Sequence, residues 1–151
     1  MLNDGDKAPD FTIPTDEGEF SLNASAGPVV VFFFPRADTS GCTKEAIAFS
    51  ELKAEFDAAG VRVIGISKDT VTKQGKFRAK YDLAFPLGAD DEVDVCEQFG
   101  VWVEKSMYGK KYMGIQRATF LIGSDGSIIK SWPKVKVPGH ADAVLEAVKA
   151  L

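Results

Sequence analysis

The segment that most constrains the fold is the unbroken apolar run from Val29 to Phe34, which ends at Pro35. β-Branched and aromatic residues without polar alternation are typical of a strand buried on both faces, as in the centre of a mostly parallel sheet. The run is far shorter than the ~20 residues that a membrane-spanning helix needs. The sequence therefore predicts an α/β fold built around this strand and no membrane partner.

Changes in apolar spacing along the chain predict the elements around that strand. They are a surface hairpin of residues 11–13 and 19–22, a helix over 43–59, a strand over 61–66, a helix over 69–81, a short strand at 85–87, a short helix over 91–99, a hairpin of 116–122 and 127–132, and a closing helix over 141–151. This order predicts a thioredoxin-like three-layer sandwich with a central mixed sheet and an N-terminal hairpin. No repeat or linker divides residues 1–151, so we expect a single domain.

Charge and cysteine content limit the classes of function. The formal net charge is -4, from 18 basic and 22 acidic residues, and no basic block suggests a nucleic-acid partner. The segment Met1–Asp6 lacks the basic and apolar regions of an export signal, so we expect a cytoplasmic protein. The two cysteines, Cys42 and Cys96, are too few for a disulfide framework and are expected to be reduced.

Cys42 lies where the buried strand gives way to the first predicted helix. Free N–H groups and the positive end of the helix dipole favour the thiolate over the thiol at such a position. Thr39, three residues earlier, can offer a hydroxyl to the sulfur or to a bound oxygen, and Pro35 can limit water access. The loop-forming residues 38–41 predict that Cys42 is not fully buried. A reactive thiol is therefore favoured over the alternative of a small buried hydrophobe.

The segment FFPRADTSGCTKEA, residues 33–46, resembles the peroxiredoxins, specifically the Q-type subgroup also called bacterioferritin comigratory proteins. Pro35, Thr39 and Cys42 meet the family motif Pro-x-x-x-Thr-x-x-Cys. Two further matches, within residues 99–110 and 114–122, follow in the right order. The resemblance covers essentially the whole chain.

The resemblance implies a thiol-dependent peroxidase that reduces hydrogen peroxide and organic hydroperoxides as a monomer. We expect no cofactor, and no metal, because the two cysteines and one histidine show no metal-ligand spacing. Cys42 matches the cysteine whose thiolate attacks the O–O bond and becomes sulfenic acid. Thr39 matches the hydroxyl that holds the peroxide in line with the sulfur, and Pro35 matches the shielding proline. Arg117 matches the arginine contributed by a neighbouring strand, and Glu45 the carboxylate that orients it.

The chain departs from the subgroup at the resolving cysteine. Many members have this second cysteine five residues after the first, where Ile47 stands here, and residues 77–80 of the second helix also lack one. Cys96 shares a predicted helical face with Val93 and Phe99, which indicates a packed core residue. We therefore expect a single working cysteine, rescued by an external thiol such as thioredoxin, glutaredoxin or a small thiol. The alternative, a Cys42–Cys96 disulfide, would require local unfolding.

Three rival functions share some of these features. A thioredoxin-type disulfide reductase needs a cysteine three positions after Cys42, where Glu45 stands. A cysteine hydrolase needs a base, and the single histidine, His140, is predicted to be a solvated residue at the start of the last helix. A peroxide sensor that is oxidised without turnover stays open, because no resolving thiol is near Cys42 in sequence.

Overall fold

A seven-stranded mixed sheet forms the centre of the computed structural model, which describes residues 1–151. The elements are β1 (Thr12–Thr15), β2 (Gly18–Ser21), β3 (Val29–Phe33), α1 (Ser40–Glu51), α2 (Lys53–Ala58), β4 (Arg62–Ser67), α3 (Val71–Tyr81), β5 (Leu87–Ala89), α4 (Val95–Phe99), β6 (Trp102–Met107), β7 (Lys110–Ile115), β8 (Ala118–Ile122), β9 (Ile128–Trp132) and α5 (His140–Lys149). The strand order is β2-β1-β5-β4-β3-β8-β9, and β6 and β7 form a separate hairpin. The predicted α/β class, central mixed sheet and N-terminal hairpin are confirmed.

The predicted central strand, β3, is buried along its whole length. Because side chains alternate across a strand, Val31 and Phe33 enter one apolar core while Phe32 and Phe34 enter another. The first core contains side chains from α4 and from the N-terminal segment, and the second contains side chains from α1, α2, α3 and α5. The sheet therefore separates two cores, and each cysteine belongs to a different one.

The direction of β8 decides which residues meet at the end of β3. β8 runs antiparallel to β3, with Phe33 opposite Ala118. The start of β8 therefore lies beside the end of β3, where the chain turns toward α1. Arg117, the residue before β8, reaches the same edge of the sheet as Cys42.

The prediction of one continuous helix over residues 43–59 is wrong in its start and in the number of helices. It begins at Ser40 and divides at Leu52, whose N–H bonds to the carbonyl oxygen of Phe49, three residues back. The division turns α2 so that the rings of Phe49 and Phe56 pack with centroids 6.0 Å apart, while Ala59, expected on the apolar stripe, is exposed.

Two short elements also begin later than predicted. The short strand occupies residues 87–89 rather than 85–87, and α4 begins at Val95 rather than at residue 91. The carboxylate of Asp90 accepts hydrogen bonds from the N–H groups of Val95 and Cys96, which fixes the first turn of α4. Val93 consequently lies outside the helix and is exposed, so it does not share a helical face with Cys96.

The β6–β7 hairpin was not predicted. Its two strands join through Tyr108 and Gly109, which both have positive φ, the pattern of a tight hairpin turn. Most of its residues are exposed, so the apolar alternation that marks a strand is weak here. The two-residue turn containing glycine was the usable signal. None of the helices in the structure is long and apolar enough to cross a membrane.

Candidate active site

Cys42 is the third residue of α1, and Thr39 occupies the N-cap position. The first hydrogen bond of the helix runs from the Thr43 N–H to the Thr39 carbonyl oxygen, at 2.8 Å. The N–H groups of Ser40, Gly41 and Cys42 have no acceptor within the protein. The positive end of the helix dipole is therefore unneutralised next to the cysteine, as the sequence predicts.

The sulfur is covered, which overturns the expectation that loop residues would leave it accessible. Cys42 is 1% exposed and belongs to the core that contains Phe34 and Ala46. Thr39 and Ser40 are themselves exposed. A helical side chain tilts toward the N-terminus of its own helix, and that of Cys42 packs in the core with Phe34, so an exposed loop and a buried cysteine coexist here.

Arg117 joins Cys42 to Glu45. Its Nη2 donates to Cys42 Sγ at 3.3 Å, and its Nη1 donates to Glu45 Oε1 at 2.7 Å. Gly41 leaves the room that this requires, because a Cβ there would lie 3.3 Å from Nη2. The fork of one guanidinium thus contacts the sulfur and the carboxylate together.

Burial shapes the electrostatics of this group. Glu45 is 1% exposed, and burial raises its pKa to about 7, an effect that Arg117 opposes but does not cancel. Oε2 of Glu45 makes no hydrogen bond. Burial also acts to lower the pKa of Arg117, but Glu45 and Cys42 outweigh it, so the pKa is raised and the guanidinium stays charged.

Neither Thr39 nor Pro35 makes a hydrogen bond to the Cys42 sulfur. The Thr39 hydroxyl donates to the carbonyl oxygen of Arg36 at 2.9 Å, rather than to Cys42. Its proton is therefore engaged, and its lone pairs remain free to accept a hydrogen bond. Pro35 is exposed and lines the cleft beside the β3–α1 loop.

Two aspartates that the sequence analysis missed hold this loop. Asp69, after β4, accepts a 2.7 Å hydrogen bond from the Ala37 N–H. Asp38 has a left-handed backbone with φ 59°, and its carboxylate accepts from Tyr81 Oη at 2.7 Å and from Lys80 Nζ at 2.9 Å. Asp69 had a weak signal, since it follows a parallel strand that ends at the same edge of the sheet as β3.

Cys96 has the opposite surroundings. It is completely buried beside Phe99 in the first core, with the sheet between it and Cys42. Burial, followed by the adjacent Asp90 carboxylate, raises the pKa of this thiol above its ordinary range. The structure does not bring the two cysteines together.

His140 is buried, so the prediction of a solvated residue is wrong. It is 6% exposed, packs edge-on against the rings of Phe49 and Trp132, and its Nε2 lies 2.8 Å from Thr119 Oγ1. Burial, with a smaller contribution from Arg117, lowers its pKa to about 4. His140 therefore contacts Thr119, whereas the hydrogen-bond partner of the Cys42 sulfur is Arg117.

Comparison with known proteins places these features in a family. The model of the AhpC/TSA family matches residues 5–131. A putative peroxiredoxin bcp of Coxiella burnetii is 52% identical over 143 residues, covering 93% of this chain and 95% of that protein. Among solved structures, bacterioferritin comigratory protein of Xanthomonas campestris superposes with a TM-score of 0.88 at 44% identity, covering 93% and 90% of the two chains. PrxQ of Xylella fastidiosa gives 0.93 at 34% identity, covering 99% and 97%.

Proposed function

The chain belongs to the AhpC/TSA family and is a thiol-dependent peroxidase, a peroxiredoxin, and from that premise we propose that Cys42 is the cysteine that attacks the hydroperoxide. The observation that carries this assignment is the 3.3 Å contact between Arg117 Nη2 and Cys42 Sγ at the start of α1. The guanidinium and the free N–H groups stabilise negative charge on the sulfur. The X. campestris relative is described as having alkyl peroxide reduction activity, which supports organic hydroperoxides as substrates alongside hydrogen peroxide.

The proposed reaction has two balanced steps. The Cys42 thiolate bonds to the terminal oxygen of ROOH, the O–O bond breaks, and two electrons pass from sulfur to oxygen. The leaving RO⁻ takes the hydroperoxide proton, so the products are ROH and the sulfenate of Cys42. The sulfenate takes up a proton, and two equivalents of an external thiol reduce the sulfenic acid to the thiol, releasing one disulfide and one water.

We assign supporting roles to four neighbouring residues. Arg117 stabilises the charge that spreads over sulfur and both oxygens as the O–O bond breaks, and Glu45 positions it. Thr39 accepts a hydrogen bond from the hydroperoxide O–H through its free lone pairs. Pro35 restricts water beside the loop. Because the sulfur is covered, substrate entry requires a local movement of residues 38–41.

We propose that Cys42 works without a resolving cysteine in the same chain. Cys96 is in the other core, is completely buried, and has a raised thiol pKa. Bonding the two sulfurs would require part of the sheet or of α4 to open. An external thiol, such as thioredoxin, glutaredoxin or a small thiol, therefore reduces the sulfenic acid. This cycle suits the reducing cytoplasm, and we propose a monomer formed by residues 1–151 as one domain.

The test is steady-state consumption of hydrogen peroxide by the wild type, Cys42→Ser and Cys96→Ser, with thioredoxin and then glutathione as reductant. Cys42→Ser should fall to background because the nucleophile is gone, and Cys96→Ser should stay near the wild-type rate. Equal loss in both variants would contradict the one-cysteine cycle. One fast equivalent of peroxide without a sustained rate in the wild type would instead indicate a sensor.

Mass spectrometry under non-reducing conditions, after one equivalent of peroxide, follows the sulfur directly. We expect one oxygen added to Cys42 in the wild type and in Cys96→Ser. A stoichiometric Cys42–Cys96 disulfide in the wild type would overturn the proposal that an external thiol resolves the sulfenic acid.

A further inference from the structure

Thr39 occupies the N-cap position of α1 but does not cap the helix. A threonine at this position ordinarily accepts a hydrogen bond from a backbone N–H of the first helical turn. Here the side chain makes no such bond, and its hydroxyl instead donates to the carbonyl oxygen of Arg36 at 2.9 Å. The direction of this hydroxyl is therefore set by the Arg36 carbonyl group and not by the helix.

The Arg36 carbonyl group belongs to a peptide group that is itself anchored. This 36–37 peptide group also contains the Ala37 N–H, which donates to Asp69 Oδ2 at 2.7 Å. Because a peptide group is planar and trans, its C=O and N–H point in opposite directions, so fixing one end fixes the other. A carboxylate that accepts from the N–H also polarises the peptide group and strengthens its carbonyl oxygen as an acceptor. One peptide group thus links the Asp69 carboxylate to the Thr39 hydroxyl.

A buried polar chain holds Asp69 from the other side. Ser67 Oγ donates to Asp69 Oδ2 at 2.6 Å. It accepts in turn from Gln74 Nε2 at 2.9 Å, and the same amide donates to the Gly88 carbonyl oxygen at 2.8 Å. Ser67 and Gln74 are completely buried, and because the Ser67 oxygen accepts from Gln74, its proton is directed at Asp69. Buried groups of β4, α3 and β5 therefore fix the carboxylate that holds the loop.

We propose that Asp69 is a positioning residue for the peroxidase reaction and acts on Thr39 through the 36–37 peptide group. With its proton held by the Arg36 carbonyl oxygen, the Thr39 hydroxyl keeps its lone pairs for the hydroperoxide O–H. Without Asp69 the peptide group can rotate, and the hydroxyl can turn to cap the free N–H groups of α1, which occupies those lone pairs. The inference rests on the proposed function, because it explains how the acceptor role of Thr39 is set.

A double-mutant cycle tests the coupling of Asp69 to Thr39, with kcat/KM for hydrogen peroxide as the measured quantity. Asp69→Ala should lower kcat/KM about tenfold, because the orientation of one hydrogen-bond acceptor is lost. Thr39→Val removes the hydroxyl but keeps the shape of the side chain. In the Thr39→Val background, Asp69→Ala should change kcat/KM by less than about twofold, since the group on which Asp69 acts is absent.

Asp4→Ala is the matched control. The Asp4 carboxylate also accepts from a backbone N–H and a serine hydroxyl, both of Ser131 and both at 2.7 Å, but it holds β9 and not the active-site loop. This variant should keep the wild-type kcat/KM. Asp69→Asn should recover part of the loss, because its amide oxygen can still accept from the Ala37 N–H. If Asp69→Ala does not fold, Ser67→Ala, which removes the buried donor to Asp69, takes its place in the cycle with the same expected direction.

The outcomes separate this inference from the proposed function. If Asp69→Ala causes the same loss with and without the Thr39 hydroxyl, Asp69 supports the structure without acting through Thr39, and the inference is overturned while the peroxidase assignment stands. An unchanged kcat/KM in Asp69→Ala overturns it as well. If Thr39→Val alone keeps the wild-type kcat/KM, the acceptor role of Thr39 in the proposed function falls, and the inference falls with it.

Discussion

Cys42 and Cys96 each lie buried near a carboxylate and a cation, but the thiol, the carboxylate and the cation occur in a different order. Around Cys42 the cation is in the middle, since Arg117 contacts both the sulfur and Glu45. Around Cys96 the carboxylate is in the middle, since Asp90 adjoins the cysteine and Lys68 lies beyond it, 3.3 Å from Asp90. Both thiols are at most 1% exposed, so exposure does not distinguish them.

The order of the groups decides what each cysteine can do. The guanidinium of Arg117 contacts the sulfur of Cys42, where it can stabilise the charge that develops as the sulfur attacks, whereas burial and then the Asp90 carboxylate raise the pKa of Cys96. The Asp90 carboxylate instead accepts two backbone N–H groups at the start of α4. Asp90 thus fixes the start of a helix, whereas Arg117 and Glu45, under the proposed function, serve the attack of Cys42 on a peroxide.

Removing Arg117, the cation between Cys42 and Glu45, should have the largest effect on activity. We expect Arg117→Met to lower kcat/KM for hydrogen peroxide about 10²–10³-fold, the typical cost of deleting one charge-stabilising donor from a reaction centre. Arg117→Lys should recover part of this loss, because an ammonium keeps the charge but cannot contact both Cys42 and Glu45. The control is Arg62→Met, an exposed arginine on β4. If Arg117→Met keeps an activity close to that of the control, the difference in surroundings between Cys42 and Cys96 does not account for the reactivity of Cys42.

Glu45, the carboxylate that Arg117 contacts, should make the stability of the protein depend on pH. The folded-state pKa of Glu45 is about 7, above its ordinary 4.5. The contribution of its protonated form to the unfolding free energy is therefore fully present below pH 4.5 and is lost as the pH rises through 7. Relative to Glu45→Gln, the wild type should therefore lose about 2–3 kcal/mol of unfolding free energy between those two pH values. Urea unfolding of both proteins at pH 4.5, 6 and 8 measures this difference. Parallel curves would show that Glu45 titrates at its ordinary pKa.

Asp90, the carboxylate beside Cys96, should contribute to stability and not to catalysis. Asp90→Asn replaces one of two acceptor oxygens by a donor that faces a backbone N–H. We expect a loss of about 1–2 kcal/mol of unfolding free energy, comparable with the loss of a helix cap. Peroxidase activity per folded molecule should stay near the wild-type value. A selective loss of activity in a fully stable variant would mean that Asp90 serves the reaction.

The sequence predicts the central strand and the position of Cys42 at a helix start because both depend on local residue patterns. Burial of Cys42 could not be predicted in this way, since it depends on how α1 packs onto the sheet. His140 was misjudged for the same reason, because only the assembled core brings it against Thr119. The roles of Arg117 and Glu45 came from family resemblance alone.

Other parts of the site leave almost no local signal. Asp69 holds the active-site loop from a position 32 residues away along the chain from Ala37. Asp38 holds the same loop through Lys80 and Tyr81, which are 42 and 43 residues away along the chain. Both residues act through contacts that form only in the folded structure. A local sequence pattern therefore does not indicate these contacts.

The antiparallel pairing of β8 with β3 has a consequence for how this protein folds during synthesis. The contact between Arg117 and Cys42 joins residues 75 positions apart, so a ribosome that has just released the cysteine still has half of the protein to make before the guanidinium emerges. Since β8 can pair with β3 only after that, a nascent or truncated chain lacks the contact between the guanidinium and the sulfur, and under the proposed function its peroxidase competence begins when this late strand docks.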